Sequence, residues 1–143
     1  MRVRILTLTA ALLLTGACTS TPEETLKSWY TSGGKTHITR LSDDTSRVIE
    51  VSTSTNDIIG PVCRDLLKDV AAAEAYDPIP DEDAQSSWST ALTTLRNGAS
   101  ECTAGAAAQD GAQVSGGVSE ILIDGDGYLS STVHLIALEL TAD

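Results

Sequence analysis

Two stretches of apolar residues flank a proline-containing turn, and each stretch carries one cysteine. Their apolar positions recur every three or four residues, which is the spacing of one face of an α-helix. The chain reverses between them at Asp77-Pro78-Ile79-Pro80. The pattern therefore predicts an antiparallel helical hairpin over residues 56–108. The two predicted faces consist of Ile59, Cys63, Leu66, Leu67, Val70 and Ala73, and of Trp88, Leu92, Leu95, Ala99, Cys102 and Ala106.

The two cysteines of the hairpin lie on faces that an antiparallel packing brings together. The two helical arms between the turn and the cysteines differ in length. An extended proline-rich turn rises further per residue than a helix does, so it can make up this difference. We therefore predict a disulfide between Cys63 and Cys102, which closes a loop of about 40 residues. Two cysteines without a neighbouring histidine make a poor zinc site, so no metal is expected there.

The N-terminus has the composition of an export signal. Arg2 and Arg4 precede a short apolar run over residues 5–14, which is too short to span a bilayer. Small residues then lead to Cys18, and Thr15-Gly16-Ala17-Cys18 resembles a bacterial lipobox. The resemblance implies a lipoprotein signal peptide over 1–17, acyl chains on Cys18, and a short tether over 18–22. The alternative is an ordinary signal peptide with a chance cysteine.

Export and lipidation make the three cysteines consistent with one disulfide. If Cys18 carries lipid, Cys63 and Cys102 remain as a pair in an oxidising compartment. The expected location is the outer face of the plasma membrane, with the membrane contacted through the lipid at Cys18.

The charge of the chain excludes several classes of partner. Loss of Arg2 and Arg4 with the signal leaves 7 basic residues against 20 acidic ones, so the net charge falls from −11 to −13. Nucleic-acid binding depends on neutralising phosphates, and contact with anionic lipid depends on clustered basic residues. We therefore expect neither nucleic acid nor a polybasic membrane contact.

Two segments are ambiguous between helix and strand. Residues 36–53 have helical spacing with several polar positions, and residues 121–140 contain Gly125 and Gly127, which weaken a helix. Residues 36–41 and 47–53 are rich in β-branched residues and could instead form two strands. The final segment could instead form a β-hairpin that turns at residues 124–127. We predict helices for both. The acidic sequence Asp124-Gly125-Asp126-Gly127 does not fit a calcium-binding loop, because Leu122 and Val133 occupy required ligand positions.

Several short motifs together resemble a family of small exported actinobacterial lipoproteins of unknown function with a two-cysteine helical hairpin. The matching residues include 63–70, Pro78-Ile79-Pro80-Asp81, Gln85, Trp88, Leu92, Leu95, Gly98-Ala99 and Cys102, together with Trp29 and Gly33-Gly34. The resemblance implies a helical bundle. It brings no activity and no catalytic residue with it.

The sequence thus predicts an all-α domain over 23–143. We expect a roughly four-helix antiparallel bundle with a short extra N-terminal helix. The leading functional hypothesis is a non-enzymatic interaction or accessory lipoprotein of the cell envelope, acting on an unknown envelope protein. The alternative is a surface lipoprotein that binds a ligand or cation, with Trp29 and Trp88 as possible ligand or partner contacts. No motif for catalysis, a metal or a cofactor stands out.

Overall fold

The computed structural model describes residues 20–141. The predicted signal peptide over 1–17 and the predicted lipidation of Cys18 lie outside these residues. The described elements are α1 (Pro22–Trp29), α2 (Lys35–Val51), α3 (Asn56–Glu74), α4 (Glu82–Ala108), α5 (Gly111–Ser119) and α6 (Asp126–Leu140), with π-helical turns at Tyr30–Gly34 and Glu120–Gly125. The all-α prediction is confirmed, and both ambiguous segments are helical.

The two π-helical turns join these elements into four long helical segments. α1 continues through the first turn into α2, and α5 continues through the second into α6. Gly33 departs from helical backbone geometry, with φ 169° and ψ −24°, and sets α1 off from α2 by a kink. The predicted short N-terminal helix is therefore present, and it is followed by a four-helix antiparallel arrangement.

Polar caps fix where the helices begin. Thr21 and Glu24 form a capping box at the start of α1, and the carboxylates of Asp81 and Asp110 accept backbone N–H groups at the starts of α4 and α5. α3 begins at Asn56, and Thr55 occupies its N-cap position.

α4 lies at the centre of the bundle and packs against α3, α5 and α6. Small residues allow the close approach of α5. A Cβ atom on Gly98 would lie 2.7 Å from the backbone oxygen of Gly117, and one on Gly117 would lie 2.5 Å from the backbone nitrogen of Cys102. Real Cβ atoms do not approach other atoms this closely, so this crossing requires glycine.

The predicted hairpin is present in full. Cys63 on α3 and Cys102 on α4 form a disulfide, with Cα atoms 6.2 Å apart, and both residues are completely buried. All predicted face residues of α4 are buried, and those of α3 are buried except for the half-buried Leu67. In the last helix, Val133 is 41 % exposed. None of the helices within residues 20–141 is long and apolar enough to cross a membrane.

Candidate functional site

A cluster of charged side chains lies between α2 and α3. On α2 these residues occupy one face at spacings of three and four, which brings them opposite two aspartates of α3. The members are His37, Arg40, Asp44 and Arg47 on α2, and Asp65 and Asp69 on α3. Arg40 Nη1 lies 3.8 Å from Asp69 Oδ1, and Arg47 Nη2 lies 3.7 Å from Asp65 Oδ2. Ion pairs with such exposed partners contribute little to stability, typically less than about 1 kcal/mol.

Asp44 differs from the other acidic members because it is only 4 % exposed. Its Oδ1 accepts a hydrogen bond from Arg47 Nη1 at 3.2 Å. Its Oδ2 is also buried and accepts no hydrogen bond. Burial raises the pKa of Asp44 from its ordinary value of 3.8 to about 6, and the neighbouring Asp69 carboxyl contributes to this rise, while Arg47 opposes it.

The same cluster perturbs two other groups. Partial burial lowers the pKa of His37, and the positive charge of Arg40 adds to this effect while Asp69 opposes it. The hydrogen bond from Lys68, 2.8 Å long, lowers the pKa of Asp65. The buried Asp44 is therefore protonated more readily than Asp65.

An aromatic group joins the first helix to the proline turn. The Trp29 ring lies 5.9 Å from that of Tyr76, and the His37 ring lies 4.8 Å from the Tyr76 ring. Trp29 Nε1 donates a hydrogen bond to the Asp77 carbonyl at 2.6 Å. The turn is thus held against α1 by aromatic packing and by an indole hydrogen bond.

Two shallow clefts of about 280 Å³ each flank this turn. Trp88 lines one cleft and Trp29 lines the other, while Tyr76 and Pro78 line both. The two tryptophans are only 3 % and 7 % exposed. Both predicted contact residues therefore border a cleft, but each indole presents little surface to a ligand.

An apolar groove of about 270 Å³ runs between the first helical segment and the end of α6. The apolar residues that line it are Tyr30, Ile38, Val133, Ile136, Ala137 and Leu140. α6 also exposes Leu138, which is 51 % accessible. The side of α6 that faces this groove is therefore apolar, and Val133 on it is 41 % exposed.

Of the residues singled out in the sequence, the disulfide pair is joined, and the tryptophans line separate clefts beside the proline turn. Asp126 begins α6 and accepts a hydrogen bond from Thr45 at 3.2 Å, so it forms part of a helix contact. Within residues 20–141 there is no cluster of three histidine, cysteine, aspartate or glutamate side chains arranged to hold a metal ion.

The charged cluster between α2 and α3 was not predicted from the sequence. The signal was present, because positions 37, 40, 44 and 47 repeat at three and four residues beside positions 38, 41, 45 and 48, which are apolar except for Thr45. Recognising that this face meets α3 required the packing of the helices.

No family model matches this chain, and neither a curated protein nor a solved structure matches it. The resemblance to small exported actinobacterial lipoproteins stays a prediction. The function is therefore inferred from the residues and geometry described above.

Proposed function

We propose that this chain is a lipoprotein anchored through Cys18 at the outer face of the plasma membrane. In this proposal it acts as a non-enzymatic interaction module that binds an apolar segment of another envelope protein along α6. The observation that carries the proposal is the uncovered apolar surface of α6, where Val133 is 41 % exposed beside the groove. Exposed apolar surface commonly marks an interaction site.

The charge of the chain favours a partner protein over two other occupants of this surface. The mature net charge of −13 opposes docking onto anionic lipid and opposes the association of two copies of the chain. A partner whose apolar residues are flanked by lysine or arginine fits the apolar groove and is attracted by the net negative charge of the chain. The lipid at Cys18 would confine the search for this partner to the membrane surface.

The anchoring part of the proposal is tested by replacing Cys18 with alanine and fractionating the cells. We expect the variant to leave the membrane fraction, because the acyl chains contribute about 0.8 kcal/mol per buried CH₂ group. Full retention of Cys18→Ala in the membrane would refute the lipoprotein assignment, whatever happens at α6.

The interaction part is tested by photo-crosslinking in intact cells from a photoreactive residue at position 133. The matched control places the same residue at position 49 on α2, where Ile49 is similarly exposed at 54 %. We expect one envelope protein to be captured from position 133 only, through a peptide that carries basic residues beside its apolar ones. Capture of lipid, of a second copy, or of nothing at position 133 would contradict this assignment.

Ligand binding at the clefts beside the proline turn is the second candidate function. It is favoured by the presence of a tryptophan at each cleft, and disfavoured by the burial of both indole rings. Aromatic binding platforms need an exposed ring face, so the α6 surface is the stronger candidate.

A further inference from the structure

We propose that Asp44 and Asp69 share one proton across the contact between α2 and α3, and that loss of this proton loosens α2 from the bundle. The pair would make this contact tighter in mildly acidic surroundings than in neutral ones. The inference does not depend on the proposed function, because it concerns the packing of two helices within the described chain.

The geometry of Asp44 is the first support. The residue is 4 % exposed, and Arg47 satisfies only Oδ1, while Oδ2 is buried without a hydrogen-bond donor. A buried acceptor without a donor is costly. Arg40, one helical turn before Asp44, lies 3.8 Å from Asp69, and Arg47, one turn after it, contacts both Asp44 and Asp65. This register places Asp69 of α3 beside Asp44, and hydrogen bonding between the two carboxyls contributes to the raised pKa of Asp44. Two ionised carboxylates cannot hydrogen-bond each other, but a single proton placed between them supplies the missing donor.

The charges around the pair do not remove the need for this proton. Arg40 approaches Asp69 only to 3.8 Å, and Arg47 divides its two nitrogens between Asp44 and Asp65. Both arginines are half-exposed or more, so water screens their charge.

The remaining titratable neighbours act on other groups. On α3, Lys68 pairs with Asp65, and on the α6 side Asp126 bonds to Thr45. His37 lies on the same face of α2, and its pKa is lowered. Protonation of His37 therefore weakens the fold at low pH, which opposes the effect of the aspartate pair.

The sign of the pH effect follows from the direction of the shift. Because burial and Asp69 raise the pKa of Asp44 from 3.8 to about 6, the stabilisation from its proton is fully present below the unfolded-state pKa. It is lost as the pH rises through about 6, when the proton leaves to solvent. The rise in the pKa of Asp44 from 3.8 to about 6 corresponds to a roughly 100-fold change in the folding equilibrium constant.

The test compares Asp44→Asn with Asp43→Asn by thermal melts and urea titrations between pH 4.5 and 8. The amide introduced by Asp44→Asn would offer a donor to Asp69 and an acceptor to Arg47 at every pH. We expect Asp44→Asn to match the wild type near pH 4.5 and to melt several degrees higher at pH 8. Asp43 is a neighbour of the same charge that lies nearer to solvent, so its variant should follow the wild-type profile.

Two further measurements keep the inference testable if Asp44→Asn folds poorly. In the wild type, the side-chain carbon-13 signal of Asp44 should titrate with a midpoint near 6. Hydrogen exchange, corrected for its intrinsic pH dependence, should accelerate in α2 at pH 8 relative to pH 5, while α4 stays protected. An ordinary midpoint at Asp44, or exchange in α2 that does not change with pH, would overturn the proposal.

Discussion

Removal of the Cys63–Cys102 disulfide should lower the melting temperature strongly while leaving the helices in place. The bond joins residues separated by 39 positions. In the chain-entropy model, a closed loop of this length restricts the unfolded chain by about 4 kcal/mol at 25 °C. Because one kcal/mol moves the melting temperature of a domain of this size by about 3–6 °C, the expected loss is about 12–24 °C.

The buried position of the cysteines makes the choice of variant important. Both residues are 0 % exposed, so Cys63→Ala with Cys102→Ala also removes two well-packed sulfur atoms. Reduction of the wild type breaks the same bond but leaves the thiols in place. The difference between the two melting temperatures measures the packing term, and the shift common to both measures the effect of the cross-link.

The assay is thermal unfolding followed by far-ultraviolet circular dichroism on the mature chain with Cys18→Ser, with and without reductant. The double alanine variant is the control for reductant, and its melting temperature should not respond. Its urea m value should exceed that of the oxidised protein, since an unlinked chain exposes more surface when it unfolds. If breaking a bond verified by mass spectrometry shifts the melting temperature by less than about 3 °C, the loop-closure reasoning is wrong.

Three further substitutions test the close contacts of the bundle. Gly117→Ala should destabilise the fold by roughly 2–3 kcal/mol, because the new Cβ would meet the backbone of Cys102. Gly127→Ala, where a Cβ would meet nothing within 4 Å, should instead stabilise the helix by about 0.5–1 kcal/mol; equal effects in urea titrations would contradict the crossing described here. Trp29→Phe should cost about 1–3 kcal/mol, since the Asp77 carbonyl loses its indole donor. An unchanged melting temperature in Trp29→Phe would show that this hydrogen bond adds nothing.

The helical hairpin was predictable because the residues that determine it lie close together in the sequence. The apolar positions of α3 and α4 follow the helical period without interruption, and a single proline turn separates them. Once the two faces were identified, antiparallel packing brought Cys63 and Cys102 together without any knowledge of the other helices.

The π-helical turns were not predicted, although the spacing of buried residues reflects them. Between Trp29 and Gly34 the buried positions are five residues apart, which matches one π-helical turn. In the last segment, Ile121, Gly125 and Leu129 follow each other at intervals of four, which exceeds two ideal α-helical turns. The wider turn absorbs the excess and keeps the buried face directed at α4.

Gly125 shows why composition alone gave an ambiguous answer for the last helix. Taken with its immediate neighbours alone, this glycine weakens a helix and favours a turn. In the bundle, a Cβ at this position would lie 2.5 Å from Leu95 Cδ2. The residue is small because a neighbouring helix passes close by, and this requirement belongs to the tertiary structure.

The candidate sites were the least predictable part, because they depend on how the helices face each other. The carboxylate of Asp44 resembles an ordinary surface group in the sequence, and only the packing of the helices leaves it buried with one oxygen unpaired. The apolar residues of α6 likewise resemble core residues until the packing leaves Val133 uncovered. The disulfide and the glycine crossing hold α3, α4 and α5 together by contacts that do not titrate. α2 is joined to α3 partly through groups that do, so a change in pH should act on α2 while the hairpin that organises the bundle stays intact.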